Sequence, residues 1–288
     1  MAHRPFAQPP GKSRFRPAAL IALLVGGCVA QPPLEPGDPI QHRAEDTIRV
    51  PAFARMPFEP FTRADALAIV LREWRGWGQL VNDEPPDERP PPAAEDKPER
   101  MPGLWERVGE YWWLGMDAGR PEADWTGKHD GNGTEFDSLR DGEYAWSAAF
   151  ISYVMRTAGA GSRFPYSASH VTYINAARDM SLQRTTNWVV SAERADAAVP
   201  KPGDLICYAR GGRSVRFEDL PARHFASHCD MVVSVTPGQL SVVGGNVFDA
   251  VTMKHVPVTA DGTLAPPGGR PLDSRYAWFV VLRVLYDR

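Results

Sequence analysis

Cysteine is scarce in this chain: Cys28, Cys207 and Cys229 are the only three in 288 residues. Their spacing matches no zinc-site pattern, so a metal is not expected; no cofactor is read from the sequence. An excess of positive charge is also missing. The formal net charge is −3, which removes the electrostatic reason to expect nucleic acid as a partner. The apolar run Ala18 to Val25 is too short for a membrane-spanning helix. There is no internal repeat, and the oxygen side chains between Asp130 and Asp137 do not fall at EF-hand positions.

Proline, by contrast, is plentiful, with 28 residues in clusters that read as extended linkers rather than core. The N-terminus has the parts of a secretory signal. Arg4, Lys12, Arg14 and Arg16 precede the short apolar run, which ends Val25-Gly26-Gly27-Cys28. That ending resembles the lipobox of bacterial lipoproteins, in which the cysteine is lipidated and becomes the mature N-terminus. The resemblance implies a signal peptide over 1–28 and a lipid anchor at Cys28. Val29 after the cysteine, rather than an aspartate, implies the periplasmic face of the outer membrane. Residues 29–60 then read as a proline-rich tether, leaving a domain over 61–288.

Within that domain, helical periodicity comes first. Thr62 is placed to cap a helix carrying Ala64, Leu67, Ala68, Leu71 and Trp74. The acidic, proline-rich stretch 82–102 reads as a disordered loop. A second helix carries Leu104, Trp105, Val108, Tyr111 and Trp112. Residues 115–142 read as loop, anchored by Trp125 and Phe136. A third helix starts at Ser147, buries Phe150, Ile151 and Val154, and stops at Gly159 and Gly161. Ser169 is placed to cap a fourth, with Val171, Ile174, Ala177 and Met180. From Trp188 onward the pattern changes to strands, at 204–208, 231–235, 240–243, 251–258 and 276–285. Helices followed by an antiparallel sheet make an α+β fold.

Three short motifs stand in one order: Trp146-Ser147-Ala148-Ala149-Phe150 at a helix start, Pro202-Gly203-Asp204 opening a strand, and a strand from His228 followed by Gly244-Gly245-Asn246. This order resembles the papain-like cell-wall hydrolases of the CHAP and NlpC types. More narrowly, the wording of 145–160, 202–207 and 228–247 resembles the DUF2272 family of uncharacterised bacterial proteins. The resemblance implies a papain-like fold and amide-bond cleavage in peptidoglycan. It puts Ser147 in the nucleophile's place, His228 in that of the base, and Asn246 in that of the residue that orients the imidazole or holds the oxyanion. Trp146, Asp204, Asp230 and Gly245 are the accompanying binding positions.

Two departures stand out. The nucleophile is serine where the hydrolases have cysteine, and Gly244 stands where CHAP enzymes have glutamate. A serine must lose its proton during attack, so it needs a well-oriented histidine; Asn246, Asp230 and Asp249 are the candidate orienters. Strand alternation puts His228 and Asp230 on one face and Cys229, Met231, Val233 and Val235 on the other. Cys229 is thus a core residue or half of a disulfide with Cys207. His170 reads as a surface or cap histidine, since the sequence names no partner for it. The insertion 210–227, with Arg210, Arg213, Arg216, Arg223 and His224, reads as a solvated basic loop or as a rim suited to an anionic substrate. Three functions compete: a serine-dependent peptidoglycan hydrolase, a retired hydrolase that binds peptidoglycan or peptide, and a structural envelope lipoprotein.

Overall fold

The computed structural model describes residues 60–85, 93–117, 119–211 and 214–287. Cys28, the signal peptide and all of the tether but its last residue lie outside them. The first helix, α1 (Arg63–Gly76), begins as expected, with the Thr62 hydroxyl accepting from Asp65 N at 3.1 Å. Its buried face is rotated from the expected stripe, however, and consists of Ala66, Ile69, Val70 and Glu73. A charged residue occupies a core position there, which hydrophobic periodicity excludes by construction.

Glu73 is only 3% exposed, and three helices meet on its carboxylate. Arg107 Nε and Tyr111 Oη, both from α2 (Leu104–Gly115), donate to Oε2 at 2.6 and 2.8 Å. Tyr153 Oη, from α3 (Ser147–Thr157), donates to Oε1 at 3.1 Å. Burial opposes ionisation of Glu73, but these hydrogen bonds outweigh it and hold its pKa below the ordinary value. Every residue of α3 from Ser147 to Met155 is buried, so this helix is the centre of the helical layer. Gly115 lets α2 approach it closely, since a Cβ there would lie 2.5 Å from the Ala149 carbonyl oxygen. The last helix, α4 (His170–Ser181), starts after Ser169, whose side chain makes no capping bond.

Six strands follow: β1 (Val190–Arg194), β2 (Leu205–Ala209), β3 (Ser227–Thr236), β4 (Gln239–Gly244), β5 (Thr252–Pro257) and β6 (Trp278–Val284). They form one antiparallel sheet in the order β1-β6-β2-β3-β4-β5. Alternation divides the sheet's side chains between two cores. Leu205, Cys207, Cys229, Met231, Val280 and Leu282 pack with the helices. Ile206, Val232, Val242, Val256 and Val281 pack on the other face with Ala195, Leu264 and Tyr276. The architecture is α+β, as the change of period at Trp188 predicts.

The stretch 82–102, expected as a disordered loop, is anchored on both sides of residues 86–92. Before them the chain runs along β5, with Asn82 N donating to Met253 O and Met253 N to Leu80 O, both at 2.9 Å. After them Lys97 and Arg100 pair with Asp141 at 2.5 and 2.9 Å. Charge complementarity across more than forty positions holds this segment, and local composition does not reveal it.

Cys207 and Cys229 form a disulfide between directly opposed residues of β2 and β3. It closes a loop of 22 residues that includes the basic insertion, and cross-linking such a loop stabilises by about 3 kcal/mol. Reduction, or the double change Cys207→Ala/Cys229→Ala, is expected to lower the urea unfolding free energy by about that amount. Equal unfolding midpoints for the oxidised and reduced protein would contradict this.

Candidate functional site

Ser147 is the first residue of α3, with Trp146 at the cap position. The first N–H groups of a helix have no intrahelical acceptor and carry its partial positive charge, so an anion formed at Ser147 would meet oriented donors. The Trp146 indole is buried, stacks on Trp77 at 5.4 Å, and donates through Nε1 to Glu99 Oε2 at 2.5 Å. Trp146 therefore aims the start of the helix and offers no open face to a ligand. Glu99 belongs to the stretch read as a disordered loop, and sequence reasoning missed it.

The partner of Ser147 is His170. Its Nε2 lies 2.8 Å from Ser147 Oγ, and its Nδ1 is hydrogen-bonded to the Tyr173 hydroxyl. The reading of His170 as a surface or cap residue is corrected: it is 3% exposed and joins the starts of α3 and α4. The only local signal was the i, i+3 spacing of His170 and Tyr173, which puts both on one helix face. Burial, then the neighbouring His228, hold the His170 pKa well below its ordinary value. Tyr173 is raised by burial and keeps its proton.

His228 makes no hydrogen bond to Ser147. Its Nε2 pairs with Asp230 Oδ1 at 2.9 Å, and its ring centroid lies 5.2 Å from that of His170. Asp230 Oδ2 is 2.6 Å from Lys254 Nζ, and both side chains are wholly buried. Burial lowers the His228 pKa below its ordinary value despite the carboxylate. Asp230 is instead held below the carboxylate range, because Lys254 and His228 outweigh burial. These groups lie on one face of the sheet, as alternation along β3 predicts.

Gly244 explains how the carboxylate fits. A Cβ at that position would lie 1.8 Å from Asp230 Oδ1 and 2.9 Å from His228 Nε2. The space that a side chain at 244 would fill is taken by the Asp230 carboxylate, reaching across from the neighbouring strand. Gly245 is equally confined: a Cβ there would lie 2.5 Å from Phe150 Cβ and 2.8 Å from the Trp146 ring. Both glycines are required by close approach.

The remaining expected site residues lie apart. Asn246 has φ of +53° and is partly buried; among the described residues its side chain has no hydrogen-bond partner, and the imidazole is oriented by Asp230 instead. Asp204 is wholly buried in the turn before β2, accepts from Lys201 N at 2.8 Å and Val284 N at 3.2 Å, and pairs with Arg283. It closes the turn and is no part of this cluster. Asp249 is raised by burial, and its charge helps raise Glu99.

A cleft of about 720 Å³ is lined by Arg194, Arg216, Phe217, Arg270, Tyr276 and Trp278 among others, and by none of Ser147, His170 and His228. Tyr276 and Trp278 contact the Tyr208 ring at 4.7 and 4.9 Å, and Tyr208 contacts His228 at 5.4 Å. Arg216 comes from the basic insertion; Arg213 lies outside the described residues. Among the described residues, no group of three or more His, Cys, Asp or Glu is placed to hold a metal, and no helix is long and apolar enough to cross a membrane.

A family model matches residues 99–284, from the buried Glu99 to the end of β6. The chain belongs to the DUF2272 family. The family is described as an uncharacterised protein conserved in bacteria. No curated protein and no solved structure matches the chain. The matched span contains Ser147, His170, His228, Asp230, Gly244 and Lys254.

Two outcomes follow. Gly244→Ala is expected to destabilise the fold by about 1–3 kcal/mol through overpacking against Asp230, read as a lower urea midpoint; a midpoint equal to wild type would contradict the close approach. Burial pushes Glu99 up to about 8 from an ordinary 4.5. A carboxyl raised on folding contributes stability that is complete below its unfolded pKa and is lost as pH rises through its folded pKa. Stability is therefore expected to fall between about pH 4.5 and 8, and to fall less in Glu99→Gln. Parallel pH–stability curves for the two proteins would refute the assignment.

Proposed function

We propose that this protein is a serine-dependent acyl hydrolase of the cell envelope, acting on amide bonds of peptidoglycan peptides through a papain-like frame. The observation that carries the reaction class is the 2.8 Å contact of Ser147 Oγ with His170 Nε2 at the start of a buried helix. With the Nδ1 proton donated to the Tyr173 oxygen, Nε2 is the acceptor for the Ser147 hydroxyl proton. Ser147 Oγ attacks the carbonyl carbon, His170 takes the proton, and the oxyanion develops toward the N–H groups at the start of α3. Collapse of this intermediate breaks the C–N bond, the proton passes to the leaving amine, and water then hydrolyses the acyl-serine. His228, already oriented by Asp230, is a second proton acceptor beside the first.

The substrate class and the papain-like frame rest on the order of the Trp146-Ser147, Pro202-Gly203-Asp204 and His228 motifs. The lipobox ending at Cys28 supports an anchor on the periplasmic face of the outer membrane. A second reading, a retired hydrolase that only binds peptidoglycan or peptide, is favoured by the 4% exposure of Ser147.

A fluorophosphonate reagent, which reacts with activated serines whatever their substrate, separates the two. The wild type is expected to be labelled at Ser147 and to release peptide fragments from purified peptidoglycan, both read by mass spectrometry. Ser147→Ala should abolish both, and His170→Ala should slow labelling by about 10²-fold or more. A wild type that binds peptidoglycan, releases no fragment and takes no label would establish the binding module instead.

A further inference from the structure

Lys254 is a wholly buried lysine on β5 that the acyl-transfer reading does not use. Its Nζ is 2.6 Å from Asp230 Oδ2, an ion pair whose angles are not those of a hydrogen bond, and it has no hydrogen-bond partner among the described residues. The ammonium lies over three aromatic rings, Tyr276 at 4.6 Å and Tyr208 and Trp278 each at 5.5 Å, which suits a retained positive charge. Burying an ion pair is costly, and apolar residues of similar volume often give an equally stable core. Packing alone therefore does not account for a lysine here.

A carboxylate beside a buried histidine ordinarily draws a proton onto the imidazole, because the imidazolium then balances the carboxylate's charge inside the core. Here the carboxylate already has a cation on its far oxygen. The buried set of His228, Asp230 and Lys254 is neutral with His228 uncharged. We propose that Lys254 is a positioning residue that serves as the counter-ion of Asp230. Asp230 then orients His228 through the Nε2–H to Oδ1 bond without charging it, and Nδ1 stays free to accept a proton. Gly244 is the complementary requirement, since a side chain there would displace Oδ1.

Other charges facing the set are few. Tyr208 and Arg210 come from β2 and the residue after it, His170 and Tyr173 from α4, and Asp273, Arg275 and Tyr276 from the segment before β6. Asp273 is bonded to Arg275 and Trp278, and Arg210 is exposed. None of them makes a salt bridge to Asp230, so Lys254 is the counter-ion whose removal uncovers the carboxylate.

The catalytic consequence rests on the acyl-transfer reading, but the charge state is measured without it. In ¹⁵N-histidine NMR of the purified protein at neutral pH, with His228→Gln identifying the signal, His228 is expected as the neutral imidazole protonated on Nε2. In Lys254→Met the buried set would carry one negative charge and take up a proton. The His228 titration midpoint should then rise by about 1–3 pH units, and Lys254→Arg should restore it toward wild type. An imidazolium at His228 in the wild type at neutral pH would overturn the proposal, as would an unchanged midpoint in Lys254→Met. The wild-type measurement needs no variant to fold beyond the one used for identification. If Ser147 takes no fluorophosphonate while His228 is neutral and responds to Lys254→Met, the acyl-transfer reading fails and the counter-ion role stands.

Discussion

Asp230 has no route to water, and much of the sheet is arranged to answer its charge. One carboxylate oxygen faces His228 and the other faces Lys254, from strands on either side of β4. Gly244, on the strand between, leaves the room in which they meet. Three aromatic rings close over the lysine in place of water. A bare buried charge would shift its pKa and neutralise itself. This one remains ionised because each of its oxygens has a partner at hydrogen-bond distance.

A second buried carboxylate does comparable work in the helical layer. Glu73 ties α1 to α2 and α3 through Arg107, Tyr111 and Tyr153. Ser147 sits in the first turn of α3, so the position of the hydroxyl depends on how firmly that helix is held. Trp146, clamped between the Trp77 ring and Glu99, fixes the helix start from the other side. The two carboxylate networks thus stabilise different layers, and the candidate site lies where the layers meet.

Several positions follow from local pattern alone. The apolar spacing after Ser147 puts it at a helix start, where the structure has it. Simple alternation puts His228 and Asp230 on one face of a strand, and the change of period near Trp188 predicts the antiparallel sheet. Family membership is legible in the ordered motifs between Ala145 and Val247. Partner choice was much less legible. Asn246 was a candidate orienter of the imidazole, yet Asp230 is the one in contact. No local pattern names a partner for His170, because that partner is Ser147, 23 positions earlier. Glu99 and Glu73 were unreadable because hydrophobic patterns treat a charged residue as surface.

The sequence by itself determined what depends on near neighbours: where helices begin and stop, which strand residues share a face, and the order of the motifs. These follow from a helical period of 3.6 and a strand period of 2, which act over a few residues. Tertiary structure alone decided which polar groups are buried against one another. Lys254 is 24 positions after Asp230, and Glu99 is 47 before Trp146. A charge is stable in the interior only if its partner arrives within about 3 Å, and that depends on how whole layers pack rather than on any local pattern.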